Sequence, residues 1–94
     1  QKETLEQNIR IFLKKDLAEI NKYEALILKD DEVIALRENI TSTFASQLDK
    51  GIITATDYLT ELNAETQARL NKQLHIIQLA QAKANYQFDY GIEE

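Results

Sequence analysis

Apolar residues recur every three or four positions along the first half of the chain, which is the spacing of a coiled-coil seam. Starting from Ile9, alternate steps of four and three residues reach mostly apolar side chains. Because a helix turns once in about 3.6 residues, these positions share one helical face. The apolar members are Leu13, Ile20, Tyr23, Ile27, Ile34, Phe44 and Leu48, and the polar interruptions are Asp16, Asp30, Arg37 and Thr41.

A second apolar row lies beside this seam and widens the apolar face of the first helix. Its members are Leu5, Phe12, Leu26, Val33 and Ile40. The two rows together cover about 100° of the helix surface, which is more than one partner helix covers. We therefore expect a bundle, an oligomer or a wall of adjacent helices around this segment.

Two glycines and the absence of proline predict where the helices end. Residues 50–53 (KGII) form a turn around Gly51, and residues 54–57 (TATD) have the Thr-x-x-acid spacing of a capping box. Gly91 is expected to end the second helix. The prediction is an all-α fold: one long antiparallel two-helix coiled-coil hairpin over residues 1–94, with helix one at about 2–49, the tip at 50–53 and helix two at about 54–90.

Helix two carries a thinner apolar face and an uncharged polar stripe. The apolar positions are Leu59, Leu62, Leu70, Leu74, Ile77, Ala80, Ala84 and Phe88. The polar stripe consists of Gln67, Asn71, Gln78 and Asn85. This stripe either lines water inside a channel or is ordinary solvated surface, and polar helix faces are usually solvated.

The length of the two segments predicts a register between them. Folding about Gly51 places residue i roughly opposite residue 103 − i, which puts Gly91 near Phe12. Leu5 and Ile9 would then extend past helix two and meet another helix or drive self-association. A helix of about 45 residues is about 70 Å long, which suits a spacer or a wall rather than a catalytic scaffold.

Composition and charge narrow the function further. The chain has 94 residues, no cysteine and a net charge of −5. A net negative charge argues against nucleic-acid binding, which requires clustered Lys and Arg. No long apolar run is present, so we expect no membrane insertion by this segment. Because Gln1 is not a natural start, we expect an excised piece of a longer protein.

Catalytic chemistry has little basis in this sequence. His75 is the only histidine, and we interpret it as a surface or packing residue. Residues 30–32 (DDE) lack the spacing of a calcium loop and are interpreted as a solvated acidic turn. Glu61 and Glu65 either help bind a cation or favour the helix N-terminus, and the second interpretation is preferred. We predict no enzyme activity, no cofactor and no metal site.

Three segments in order resemble the TolC family of outer-membrane efflux proteins. They are residues 6–10 (EQNIR), 51–59 (GIITATDYL) and 80–86 (AQAKANY). The third segment is followed by Tyr90 and Gly91, which are part of the resemblance. The similarity covers nearly the whole chain and corresponds best to the second helical hairpin of that family's subunit. Each motif is weak alone, but their order and spacing within one proline-free hairpin are more specific.

The resemblance implies a periplasmic segment of a trimeric channel in the Gram-negative outer membrane. Members of this family form an α-helical tunnel, or α-barrel, whose tip docks with a periplasmic adaptor protein linked to an inner-membrane pump. The docking residues would be Lys50, Gly51, Ile52, Ile53 and Thr54. Asp57 matches an acidic position at the tunnel entrance, where three carboxylates would favour cations. Capping of helix two is its second interpretation, and the two are compatible.

The chain departs from the family pattern near the tip. Well-known members place a tyrosine and an arginine where this chain has Leu48 and Ile53, so apolar packing would replace a polar closing network. Where the family has a second acidic residue, this chain has Thr60, so the expected cation preference is weaker. The expected function is the tunnel hairpin of an efflux channel for small molecules or proteins. The alternative is a generic coiled-coil interaction or oligomerisation module.

Overall fold

A computed structural model describes residues 2–93 as two long antiparallel α-helices joined by a short turn. Helix α1 spans Lys2–Asp49 and helix α2 spans Ala55–Glu93, and the side chains of residues 4–92 are described. The hairpin measures 72 × 15 × 15 Å, and its described part contains no β-strand. The sequence-based prediction of an all-α, two-helix hairpin is confirmed.

The predicted seam of α1 is the face that packs against α2. Ile9, Asp16, Ile34 and Thr41 are buried, and the other seam positions are half-buried. The second row is more open, and Phe12 within it is exposed. One partner helix thus covers the seam and leaves the edge of the wider apolar face in solvent, as the width of that face implied.

The face that α2 turns towards α1 is not the predicted apolar face. Its most buried residues are the small side chains Ala68 and Ala82, and around them lie half-buried polar residues. Of the predicted apolar positions, Leu62 is half-buried, whereas Leu59, Leu70, Leu74, Ile77 and Phe88 are exposed. The polar interruptions in the seam of α1 explain this choice, because buried charges require partners that an apolar face cannot supply.

Helix α2 also continues past its predicted end. It runs through Gly91 to Glu93, and Gly91 does not share the positive φ of Gly51. A helical glycine costs only about 1 kcal/mol, which the flanking turns of helix offset. Because α2 is longer, Ile9 is covered at 8 % exposure, whereas Leu5 stays 59 % exposed. The predicted overhang therefore applies to Leu5 and was wrong for Ile9.

Candidate functional site

The hairpin tip is an ordered turn built from a Schellman motif. Gly51 adopts φ = 71°, a left-handed conformation that glycine reaches without a Cβ penalty. The amide of Ile52 donates to the carbonyl of Gln47 at 2.9 Å, and the amide of Gly51 donates to Leu48 at 3.0 Å. These two bonds satisfy carbonyls at the end of α1 and reverse the chain within a few residues.

A reciprocal capping box begins helix α2, as its sequence predicted. The amide of Asp57 donates to Thr54 Oγ1, and the amide of Thr54 donates to Asp57 Oδ2, each at 3.2 Å. Two orphan donors of the helix N-terminus are thereby satisfied. The carboxylate of Asp57 also lies where the helix dipole favours a negative charge. The capping role of Asp57 is present in the structure, and its role at a tunnel entrance stays a prediction.

The residues predicted to dock an adaptor occupy the end of the hairpin. Lys50, Gly51, Ile52 and Thr54 are exposed, whereas Ile53 is half-buried. Ile52 is 65 % exposed, which makes it the most prominent apolar side chain of the tip. The tip thus presents one apolar and one basic side chain beside a bare glycine backbone.

The three residues predicted to line a tunnel entrance lie just behind the tip. Leu48 is half-buried at the end of α1, while Asp57 and Thr60 are exposed on the first turns of α2. The hydroxyl of Thr60 donates to the carbonyl of Thr56 at 2.9 Å. Thr60 therefore adds no charge beside Asp57, and its hydroxyl is directed towards its own helix.

Ion pairs connect the two helices through the middle of the hairpin. Asp31 Oδ1 lies 2.7 Å from Lys72 Nζ, which agrees with the predicted register of 103 − i. Arg69 lies between Glu38 of α1 and Glu65 of its own helix, at 2.5 and 3.2 Å. Such partly exposed pairs contribute little stability individually, but together they favour one register of the two helices.

A half-buried polar cluster lies at the centre of this interface. His75 Nδ1 is 2.5 Å from Asp30 Oδ2, and the Tyr23 ring lies 6.4 Å from the imidazole, centroid to centroid. The first residue of the acidic run 30–32 is thus half-buried and paired, so its interpretation as solvated was wrong. His75 was interpreted as a surface or packing residue, and the structure places it half-buried in the helix interface, paired with Asp30. No group of three or more potential metal-ligating side chains forms within the described residues.

Glu61 and Glu65 do not form a site together. Glu61 Oε2 lies 3.6 Å from Arg37 Nη1 on the opposite helix, and Glu65 pairs with Arg69. The two carboxylates therefore bind different arginines. These pairings, rather than the helix N-terminus alone, account for the two acidic positions.

A carboxyl pair lies near the open end of the hairpin. Asp16 of α1 is 9 % exposed, and the carboxyl group of Asp89 on α2 lies beside it. Burial raises the pKa of Asp16 to about 6, and the proximity and negative charge of Asp89 add to this effect. Glu19 raises the pKa further, while Lys15 opposes the change. The sequence placed Asp16 on the seam but did not indicate that it meets a second carboxyl group.

No protein-family model matches the chain, and neither a curated protein nor a solved structure gives a significant match. Across the described residues, neither helix contains a stretch long and apolar enough to span a membrane. Two features of the hairpin point to a partner: an ordered tip with exposed side chains, and apolar residues on both helices that the described part of the hairpin leaves uncovered.

Proposed function

We propose that the chain is a periplasmic tunnel hairpin of a trimeric outer-membrane efflux channel. In this role the two helices form part of the wall of a TolC-like α-barrel, and the tip docks with a periplasmic adaptor that connects to an inner-membrane pump. Substrates pass by diffusion through the tunnel, so the segment performs no chemistry. The observation that carries the proposal is the set of apolar residues exposed on both helices, because wall helices require neighbours on both sides.

The shape of the hairpin also supports this role. Its long axis is 72 Å and its cross-section is 15 × 15 Å, which are the proportions of a wall helix pair rather than of a compact domain. The tip is held by backbone bonds and a capping box rather than by a partner. Lys50, Gly51 and Ile52 can therefore be presented to an adaptor in a fixed geometry, which limits the entropy lost on docking.

Asp57 would supply the electrostatic part of the function. One of its oxygens accepts the Thr54 amide, and the side chain as a whole is exposed. In a trimer, three such carboxylates around the entrance would favour cations. Leu48 and Ile53, both half-buried, would close the entrance by apolar contact instead of a polar network.

A chimera tests the proposal. The hairpin would replace the second periplasmic hairpin of a TolC-type channel whose deletion makes a Gram-negative cell drug-sensitive. We expect outer-membrane trimers and restored efflux. The variant Ile52→Glu should retain trimers but lose at least tenfold in resistance, because it places a charge in the docking surface. Ile52→Val is the matched control and should behave as the unmodified chimera.

Two results would contradict the proposal. Chimeric subunits that fold but never form trimers would argue against a role in the tunnel wall. Trimers whose efflux is indifferent to Ile52→Glu would argue against docking through the tip. The first result would favour the alternative, a generic coiled-coil oligomerisation module, which the exposed apolar residues of α2 also support.

A further inference from the structure

The outer face of α2 carries a straight apolar stripe, which consists of Leu59, Leu70, Ile77 and Phe88. These side chains are 53 %, 57 %, 56 % and 69 % exposed. At about 100° of rotation per residue, all four point within about 20° of one another. The stripe faces away from α1, since Ala68 and Ala82 mark the opposite, buried face of α2. No described residue of the hairpin covers this stripe.

The spacing along this stripe is the same from either end. Its four residues are separated by eleven, seven and eleven positions. When a second α2 lies antiparallel across the stripe, Leu59 meets Phe88 of the other copy, and Leu70 meets Ile77. Leu74, which is also exposed, lies close to the axis that relates the copies. Such self-complementarity is what a two-fold isologous interface requires.

Two α2 helices can pack against each other along this stripe although each chain carries a net charge of −5. The residues that fill the stripe between its apolar members are uncharged: Asn63, Thr66, Gln81 and Ala84. The stripe of Gln67, Asn71, Gln78 and Asn85 runs along one flank, and amide side chains can donate to and accept from one another. The charges of Glu61, Glu65 and Lys72 lie instead towards α1.

The exposed apolar residues of α1 do not form one comparable stripe. Ile11 and Leu36 share a line on the helix, but Lys22 and Lys29 fall on the same line, and burying their ammonium groups without partners is costly. Leu17 and Leu28 lie about 100° or more away from that line, so they are not continuous with it.

We infer that a second copy of this chain covers the stripe, by antiparallel pairing of the two α2 helices about a two-fold axis near Leu74. The product is a four-helix bundle with α1 helices on the outside. The contact from Leu59 to Phe88 is about 44 Å long. This pairing concerns the free chain and is separate from the proposed function. In a channel trimer the same stripe would face a neighbouring wall helix and the hairpin tips would point the same way, whereas in this dimer the two tips point in opposite directions.

Cysteine cross-linking tests the geometry, because the chain contains no native cysteine. Gln73 is exposed beside the axis, so a Gln73→Cys chain should form a covalent dimer on mild oxidation. An Ile52→Cys chain should not, because the two tips would lie about 65 Å apart along the bundle. Spin labels at the same tip position should give this long distance by pulsed electron resonance.

A pair of glutamate variants tests the surface. Ile77→Glu should raise the dimer dissociation constant at least tenfold in sedimentation equilibrium. Leu28→Glu is the matched control: Leu28 is 68 % exposed and lies off the stripe, so its replacement should leave the constant within twofold. Both variants should retain helical circular dichroism, because both positions are exposed.

Three results would overturn the inference: a monomer at 100 µM, cross-linking through position 52, or equal effects of the two glutamate variants. These outcomes are separate from those of the channel chimera. The chimera depends on docking through Ile52 and on trimer formation, neither of which involves antiparallel pairing of the free chain.

Discussion

At the scale of single residues, Asp16 is the group whose ionisation folding changes most. It lies on the apolar seam of α1, is 9 % exposed, and faces Asp89 from α2. Folding raises its pKa from 3.8 to about 6, with burial as the largest cause. The protonated form is therefore favoured in the folded hairpin. Its stabilising effect is complete below about pH 4 and is lost as pH rises through about 6.

We predict that Asp16→Asn removes this part of the pH dependence. Between pH 5 and 7.5 the native chain should lose about 1 kcal/mol of stability relative to the variant, because each pKa unit corresponds to about 1.4 kcal/mol and about one unit of the shift lies within this window. Urea unfolding followed by circular dichroism measures the difference at each pH. Asparagine preserves the size and hydrogen-bonding capacity of the side chain, so the fold should be retained.

The comparison isolates Asp16 because both chains keep Asp30, His75, Glu19 and Lys15. Asp89→Asn is the complementary variant and should reduce the pH dependence of the native chain in the same window, since it removes the facing negative charge. A difference between native and Asp16→Asn chains that stays constant from pH 5 to 7.5 would contradict the raised pKa.

At the scale of elements, the seam of α1 was predictable and the buried face of α2 was not. Helix α1 has eight apolar residues at seam positions, so the hydrophobic periodicity alone identifies its buried face. In α2 four large apolar residues mark the outer stripe, while the most buried residues are alanines with half-buried charged residues around them. Hydrophobic periodicity places apolar residues in the interior and takes no account of which charged residues on the two helices can pair with each other. The polar interruptions Asp30 and Arg37 were the available signal, because they require polar partners at the predicted register.

The tip was predictable in detail because its determinants are local. A left-handed glycine ends α1, and a Thr-x-x-Asp capping box begins α2, so neither depends on distant contacts. The same reasoning failed at Gly91, which is helical. Glycine permits a helix end but does not enforce one, and α2 retains contact with the first turns of α1. The function of the tip, in contrast, depends on a partner outside the chain.

Replacing each of the two glycines with alanine should change the stability of the hairpin in opposite directions. Gly51→Ala should destabilise the hairpin by about 1 kcal/mol, because an alanine at φ = 71° is strained although no atom obstructs its Cβ. Gly91→Ala should stabilise it by up to about 0.5 kcal/mol, because alanine loses less entropy in a helix. Thermal unfolding at one fixed protein concentration measures both.

Asparagine provides the control at the tip. Gly51→Asn should lose less stability than Gly51→Ala, since asparagine tolerates the left-handed conformation better than alanine does. If Gly51→Ala left the melting temperature unchanged, or if Gly91→Ala lowered it, the assigned backbone roles of the two glycines would be wrong.

At the scale of the whole molecule, the hairpin exposes more surface than its mass requires. Its accessible surface is 7051 Å² for 10.8 kDa, whereas a compact protein of that mass exposes about 5,500 Å². Only four apolar residues are buried within the described part: Ile9, Ile34, Ala68 and Ala82. A single hairpin therefore has a small hydrophobic contribution to stability, and contacts with other chains should supply much of the remainder.

This surface excess predicts that the melting temperature depends on concentration. For a chain of 94 residues that melts as a dimer, the unfolding enthalpy expected from size gives a rise of about 4 °C for each tenfold increase in concentration. Circular dichroism from 5 to 500 µM measures it, and Ile77→Glu should flatten the dependence while Leu28→Glu keeps it. A melting temperature that is constant over this range would contradict the prediction. It would mean that the single hairpin is fully stable without contacts to a second chain, although only four apolar residues of its described part are buried.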